Sequence, residues 1–577
     1  MNDDLWGDHI PDYARSDGEV EYYEYVSVPK AQVESTFVTP HPFVVEEHSS
    51  IASGAWQPAR QPRNRLVYSI IGILSVVVVI LAGSAVYFYT RPLPTSSSVI
   101  LQPTPTPITS AFHYAACPFT PGTGIIEGQE LKCGFLTVPE DRSHAEGSTI
   151  QLAVAIFKAS SLHPPADPEV YLSGGPGGAL LDDLGTYITS DNLDKLTLGH
   201  DLILLDQRGT GYSRPLLTCP ELTNFNSTAA NEQMTVDQAH MLYLQAAQTC
   251  HDRLTNAGIN LQTFTTIDNA TDVHDLIHAL GYKQVDLYGV SYGTRLALTV
   301  MRLFPTDIRS VVLDSTVPTQ LNIFNTEPYV IQHAFDTLFQ GCAASLKCKF
   351  AYPLLQNVFY QLVTNLNAKP GAFQDGQQGT VQLDGTGLVD FLFSAMYVTS
   401  LIPLLPEIIT QISKGDYTLL AKYFDRLTGN RGISDAMYFS VECGEDMAFT
   451  TRQELDSAAN ILRPEIRSGI LASLQDDFTI CQHWSEHAVP TKQKQPVMSS
   501  IPTLILSGEY DPITPSSNAK LAMRTLSNSF FFLFPATGHG VFYTNSCPDS
   551  IITAFLAHPD ERPAGDCIAA MQEPDFQ

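Results

Sequence analysis

The stretch VDLYGVSYGTRLALTVMRLFP, residues 285–305, decides the fold. A short apolar run meets Gly289-Val290-Ser291-Tyr292-Gly293 and continues as an amphipathic run with helical spacing. Glycines on both sides of the serine let a strand turn abruptly into a helix and leave Ser291 on an exposed, strained corner. A G-x-S-x-G pattern is common by accident, so its placement between strand QVDLYG and helix YGTRLALTVMRLF is what makes Ser291 a candidate nucleophile.

A serine hydroxyl attacks only when a base takes its proton, and behind such an elbow the acid and the base follow in the order Ser, Asp, His. PTLILSGEYDPITP places Asp511 just past an apolar strand, and FFFLFPATGHGVFY places His539 between glycines just past another. Asp314 also ends a strand, and His558 is the other histidine after Asp511 but closes an apparent helix. The preferred set is Ser291, Asp511 and His539. An oxyanion needs N–H donors. The glycine-rich Ser173-Gly174-Gly175-Pro176-Gly177-Gly178 follows strand EVYL, so Gly175 and Tyr292 N–H are the candidates.

Further out, QLAVAIFKA, EVYLSGG, DLILLDQRG, SVVLDS and TLILSGEYD are short apolar runs ending in turn signals. Several precede helical stretches, the alternation of a mostly parallel sheet covered on both faces. The expected core occupies 117–317 and 498–577. Between them, over 318–497, strand signals thin out and GLVDFLFSAMYV and LIPLLPEIITQISKGDYTLLAKYF show helical spacing. A helical lid insertion is expected there.

Upstream, residues 66–89 hold no charge, enough for one helix across a bilayer, so 66–90 is read as a single transmembrane helix. Arg60, Arg63 and Arg65 precede it and only Arg91 closely follows it, which leaves the N-terminus cytoplasmic and the remainder outside. Gly83-Ser84-Ala85 keeps a cleaved signal open as the alternative. Residues 1–65, acidic and without sustained periodicity, read as a disordered cytoplasmic tail, and the Pro/Ser/Thr-rich 91–116 as a stalk. All ten cysteines lie beyond residue 91, as disulfides on an exported unit would. No CxxC pair suggests structural zinc. A net charge of -28 disfavours a nucleic-acid partner.

SGGPGG (173–178), DQRGTGYS (206–213), GVSYGT (289–294) and the Asp511 and His539 neighbourhoods, in that order, resemble the α/β-hydrolase peptidases that include proline iminopeptidases and tripeptidyl aminopeptidases. The resemblance implies an α/β-hydrolase fold with a lid. It also implies a Ser-His-Asp triad working through an acyl-enzyme, without metal or organic cofactor, on peptides with free N-termini. By the same resemblance Asp206 and Arg208 are structural supports of the loops beside the oxyanion hole. An aminopeptidase must hold a free α-ammonium, and Glu442 and Glu445 in SVECGED are candidates, with ordinary surface acids the alternative. Ser173 departs from the pattern, since iminopeptidases place histidine there. A carboxylesterase on the same fold is the competing reading. A catalytically silent binding protein would be expected to have lost a triad member. Oligomeric state has no signal in the sequence.

Overall fold

Five neighbouring strands, β4 (Glu169–Leu172), β5 (Leu202–Leu205), β6 (Val285–Val290), β7 (Ile308–Asp314) and β10 (Thr503–Gly508), are buried along almost their whole length. Continuous apolar runs of this kind are what a parallel sheet covered on both faces requires. In the computed structural model, which describes residues 111–576 apart from 162–163, 232–235, 376–378, 429–431, 486 and 543, they form the centre of a nine-stranded sheet. The other members are β1 (Ala111–Ala115), β2 (Leu131–Pro139), β3 (Thr149–Phe157) and β11 (Ser529–Phe534). The order is β1-β2-β3-β5-β4-β6-β7-β10-β11, antiparallel through the β3–β5 pair and parallel from β5 onward.

That order fixes where chemistry can sit. From β4 the chain crosses to β5 on one side, whereas β6 lies on the other side of β4. The crevice beyond the carboxyl ends of β4 and β6 is therefore the topological switch point, where open α/β sheets bind ligands. The glycine-rich loop 173–178 leaves β4 there, and Ser291 leaves β6 there.

One apolar core includes the helices Thr266–Ala279 and Tyr292–Leu303 and runs into the insertion. Two smaller clusters pack helix Leu180–Tyr187 and helix Ser546–Ala557 against the sheet. Between β7 and β10 the chain is mostly helical, over the residues expected to form an insertion; Ile323–Ala344, Gly385–Met396, Asp435–Glu445 and Pro464–Trp484 are among its helices. A hairpin unforeseen in the sequence, β8 (Gly371–Asp375) with β9 (Gly379–Leu383), interrupts them. Its strands are too short, with only Phe373, Asp375, Val381 and Leu383 buried, to stand out by pattern.

The stalk expectation needs correction at its end. Residues 111–115 form β1, which pairs with β2, so the sheet begins at Ala111 and not at 117. The proline-rich tract ends before Ala111, which leaves AFHYA free to pair with the edge of β2. The expected tail (1–65), span (66–90) and the rest of the stalk lie outside the described residues. Among the described residues no helix is long and apolar enough to cross a membrane. All ten cysteines pair: Cys117–Cys133, Cys219–Cys250, Cys342–Cys348, Cys443–Cys481 and Cys547–Cys567.

Candidate active site

Ser291 has φ 56° and ψ −125°, a backbone conformation that a non-glycine residue adopts only when its surroundings impose it. The flanking glycines show what imposes it. A Cβ at Gly293 would lie 2.0 Å from the carbonyl oxygen of Leu172, and one at Gly289 2.4 Å from that of Gly293. The turn is thus pressed against the end of β4. Ser291 N–H donates to Asp314 O at 3.0 Å, which ties the corner to β7.

The loop after β4 closes on Ser291. A Cβ at Gly174 would fall 3.0 Å from Ser291 Cβ and 3.6 Å from its Oγ, so only a glycine leaves this approach open. Gly175 follows at φ 113°, and Tyr292 is the first residue of its helix, where N–H groups have no intrahelical partner. The loop is held from two directions. Gln207 Nε2 donates to Ser173 O at 3.1 Å, and Ser434 N–H from the insertion donates to Gly177 O at 2.8 Å.

Asp206 and Arg208 stand behind this loop. One Asp206 oxygen accepts from Leu180 and Leu181 N–H (2.8 and 3.0 Å), the other from Tyr212 N–H at 2.7 Å. The carboxylate therefore caps the helix that follows the loop, although burial pushes its pKa up to about 6 against those bonds. Arg208, fully buried, makes a bidentate pair with Asp272 (both 2.7 Å) and donates to the carbonyls of Thr263 and Glu140.

Asp511 and His539 meet at the ends of β10 and β11. His539 Nδ1 is 3.0 Å from both Asp511 oxygens. Asp511 also accepts from Ile513 and Thr514 N–H and from Thr514 Oγ1. Burial opposes its charge, but the His539 ring and the Thr514 bonds prevail and hold the carboxyl below its ordinary range. Asp314, the alternative acid, takes a different position. It accepts from Tyr288 Oη (2.6 Å) and from Val541 and Phe542 N–H, so it anchors the loop that carries His539. His558 ends the helix Ser546–Ala557 as its C-cap.

Two neighbours of His539 carried no recognised signal. The Tyr397 ring packs against that of His539 with centroids 4.8 Å apart and planes tilted by 57°, and the Tyr397 carbonyl accepts from His539 N–H at 3.1 Å. Thr399 Oγ1 accepts from Gly538 N–H at 3.0 Å. Both belong to the insertion, far away in sequence, so only folding brings them in. Thr514 was more accessible, because Asp-x-x-Thr is a local side-chain-to-backbone motif.

The two glutamates on the border helix Asp435–Glu445 are both buried but differ in partners. Glu445 accepts from Thr266 N–H (2.6 Å) and Thr266 Oγ1 (2.8 Å), and that hydroxyl meets Tyr292 Oη at 2.9 Å. Glu442 Oε2 has no hydrogen-bond partner. Burial, then the neighbouring Asp446, pushes the Glu442 carboxyl up to about 8. Asp446 itself is answered by Arg295 at 3.0 Å and by Lys494.

A family model described as the α/β hydrolase fold matches residues 170–546. The chain is similar to the serine protease Hip1 of Mycobacterium tuberculosis, 26% identical over 75% of this chain and 86% of the relative. It is similar to the tripeptidyl aminopeptidase of Streptomyces coelicolor, 26% identical over 74% of this chain and 81% of the relative. It is also similar to YuaR of Escherichia coli, named as a hydrolase, 24% identical over 74% and 86%.

Proposed function

The chain belongs to the α/β-hydrolase fold family, and from that premise we propose that it is a serine peptidase of the aminopeptidase type, releasing short segments, tripeptides among them, from the free N-termini of peptides. Ser291 attacks the scissile carbonyl while His539, oriented by Asp511, takes its proton. Gly175 and Tyr292 N–H groups receive the oxyanion. His539 then protonates the leaving amine, and water resolves the acyl-enzyme.

The observation that carries the reading is the buried, unpartnered oxygen of Glu442 on the border helix behind Tyr292. Glu445 and, when ionised, Glu442 both act electrostatically on Tyr292. Burial keeps the Glu442 carboxyl protonated near neutral pH, and a peptide α-ammonium brought against it supplies a cation that favours its ionised form. Glu445, engaged by Thr266, serves as its positioning neighbour. The names of the two peptidase relatives point the same way. Five disulfides fit a catalytic unit on the outer side of a membrane, tethered by residues 66–90.

The test pairs tripeptidyl and aminoacyl fluorogenic amides with their N-acetylated forms and a short-chain ester, using the full chain. The reading expects cleavage of the free-amine amides alone. Ser291→Ala should remove that cleavage, and Glu442→Gln should raise KM by about 10- to 100-fold, the worth of one charged hydrogen bond. Equal turnover of acetylated substrates would remove the ammonium argument, and ester cleavage alone would replace the peptidase by an esterase.

A further inference from the structure

On the side of the helix Thr266–Ala279 away from its catalytic end, the sequence HDLIH places His274 and His278 one turn apart on one face. Asp307, in the connection between the elbow helix and β7, reaches both of them. Its Oδ2 lies 2.6 Å from His274 Nδ1 and 3.4 Å from His278 Nε2. One ligand atom from each of the three falls within 4.8 Å of the others.

We propose that His274, His278 and Asp307 form a binding site for a divalent transition-metal ion, Zn2+ or a late first-row neighbour, with a fourth position open to water. The donor set is two imidazoles and one carboxylate, the borderline nitrogen and oxygen ligands that zinc takes. Tetrahedral bonds of about 2.05 Å set ligand atoms roughly 3.3–3.4 Å apart. The His278 to Asp307 distance already has that value. The His274 to Asp307 contact must open by roughly 0.7 Å to reach it.

Other features preorganise the ligands. The His274 ring stacks on Phe304 with centroids 4.1 Å apart and planes 11° apart, which fixes its orientation. Asp307 is buried, and Thr306 Oγ1 donates to its other oxygen at 3.3 Å. His278 is 54% exposed, so the ring is reachable from solvent and can rotate to complete the set. Every cysteine of the chain is in a disulfide, so no thiolate competes for the ion. The same helix holds Glu445 through Thr266 and Arg208 through Asp272. A metal at its far end would pin that helix to the end of the elbow helix and stabilise the pair by mass action.

The experiment is a Zn2+ titration of the chelator-treated full chain by calorimetry, repeated with Co2+ as a visible-absorbing stand-in. One saturable equivalent is expected, with Co2+ absorption of a four-coordinate site that Zn2+ abolishes. His278→Ala changes an exposed side chain and should fold. It should weaken binding by more than about tenfold, because loss even of a group behind a metal ligand typically costs 10- to 100-fold. His144→Ala, at an exposed histidine paired with Asp141, should change nothing. Asp307→Asn should match His278→Ala, with circular dichroism confirming its fold; if it unfolds, His278→Ala decides alone. Absence of saturable binding, unchanged affinity in His278→Ala, or an equal loss in His144→Ala would overturn the site.

Discussion

His539 Nδ1 lies 3.0 Å from each carboxylate oxygen of Asp511, and Thr514 Oγ1 touches both groups, at 2.6 Å from Asp511 Oδ2 and 3.3 Å from the ring. The acid thus faces a single ring nitrogen and fixes which nitrogen carries the proton. The other strand-end acid, Asp314, meets Val541 and Phe542 N–H instead.

Exchanging the two acids should therefore separate chemistry from scaffolding. Asp511→Asn is expected to lower kcat by about 10^4, the effect of a wrong imidazole tautomer and far more than its loss of bonds to Ile513 and Thr514 would cause. Asp314→Asn should lower Tm and reduce kcat far less, since its bonds position the histidine loop. Parallel measurement of kcat and Tm on both variants checks this.

Substitutions at two glycines near Ser291 should fail in different ways. Gly293→Ala drives a Cβ to 2.0 Å from a backbone oxygen that cannot step aside, so stability and expression should drop sharply. Gly174→Ala meets Ser291 Cβ at 3.0 Å and Val290 O at 3.3 Å, a milder clash beside Ser291, and should lower Tm far less than Gly293→Ala while lowering kcat. Thermal unfolding beside kinetics distinguishes the two.

Glu169, at the start of β4, is 1% exposed, with neither carboxylate oxygen hydrogen-bonded. Burial, with the nearby Asp286, pushes its pKa from 4.5 to about 8. A raised carboxyl pKa means the fold holds the proton more tightly than the unfolded chain. Its stability contribution is complete below about 4.5 and is lost as pH rises toward about 8, by about 1.4 kcal/mol per unit. Glu169→Gln cannot ionise, so its stability relative to the parent should rise between pH 5 and pH 8. Denaturant midpoints at several pH values across that window provide the check.

The Cys443–Cys481 disulfide joins the border helix carrying Glu442 to the helix Pro464–Trp484. Replacing both cysteines by alanine should cost about 2–4 kcal/mol of stability, the usual range for such a cross-link. Since Glu442 is proposed to hold the substrate ammonium, KM for free-amine amides should also rise, while the rate at which an uncharged covalent serine probe labels Ser291 should not change. Comparing KM with the labelling rate in the double variant separates loosening of the glutamate from general loss of structure.

The sequence by itself determined the elbow, the order of the parallel strands' apolar runs, and the positions of Asp511 and His539 after strands. Each of these is a local consequence of period, glycine placement and turn chemistry. It also marked the insertion, through a change from strand-like to helical spacing. It favoured Asp511 over Asp314 by chain order alone, because both acids end buried strands and look alike along the chain. Only the sheet order, which puts β7 and β10 side by side and carries the His539 loop across both, gave one acid the imidazole and the other the loop's backbone N–H groups. Tyr397, Thr399 and Ser434 were likewise beyond local reading. Their contacts with the histidine and glycine loops span long sequence separations, and such contacts exist only once the insertion folds back over the carboxyl ends of the strands. The difference between Glu442 and Glu445, three residues apart on one helix, belongs to tertiary structure too: Thr266 approaches only one of them.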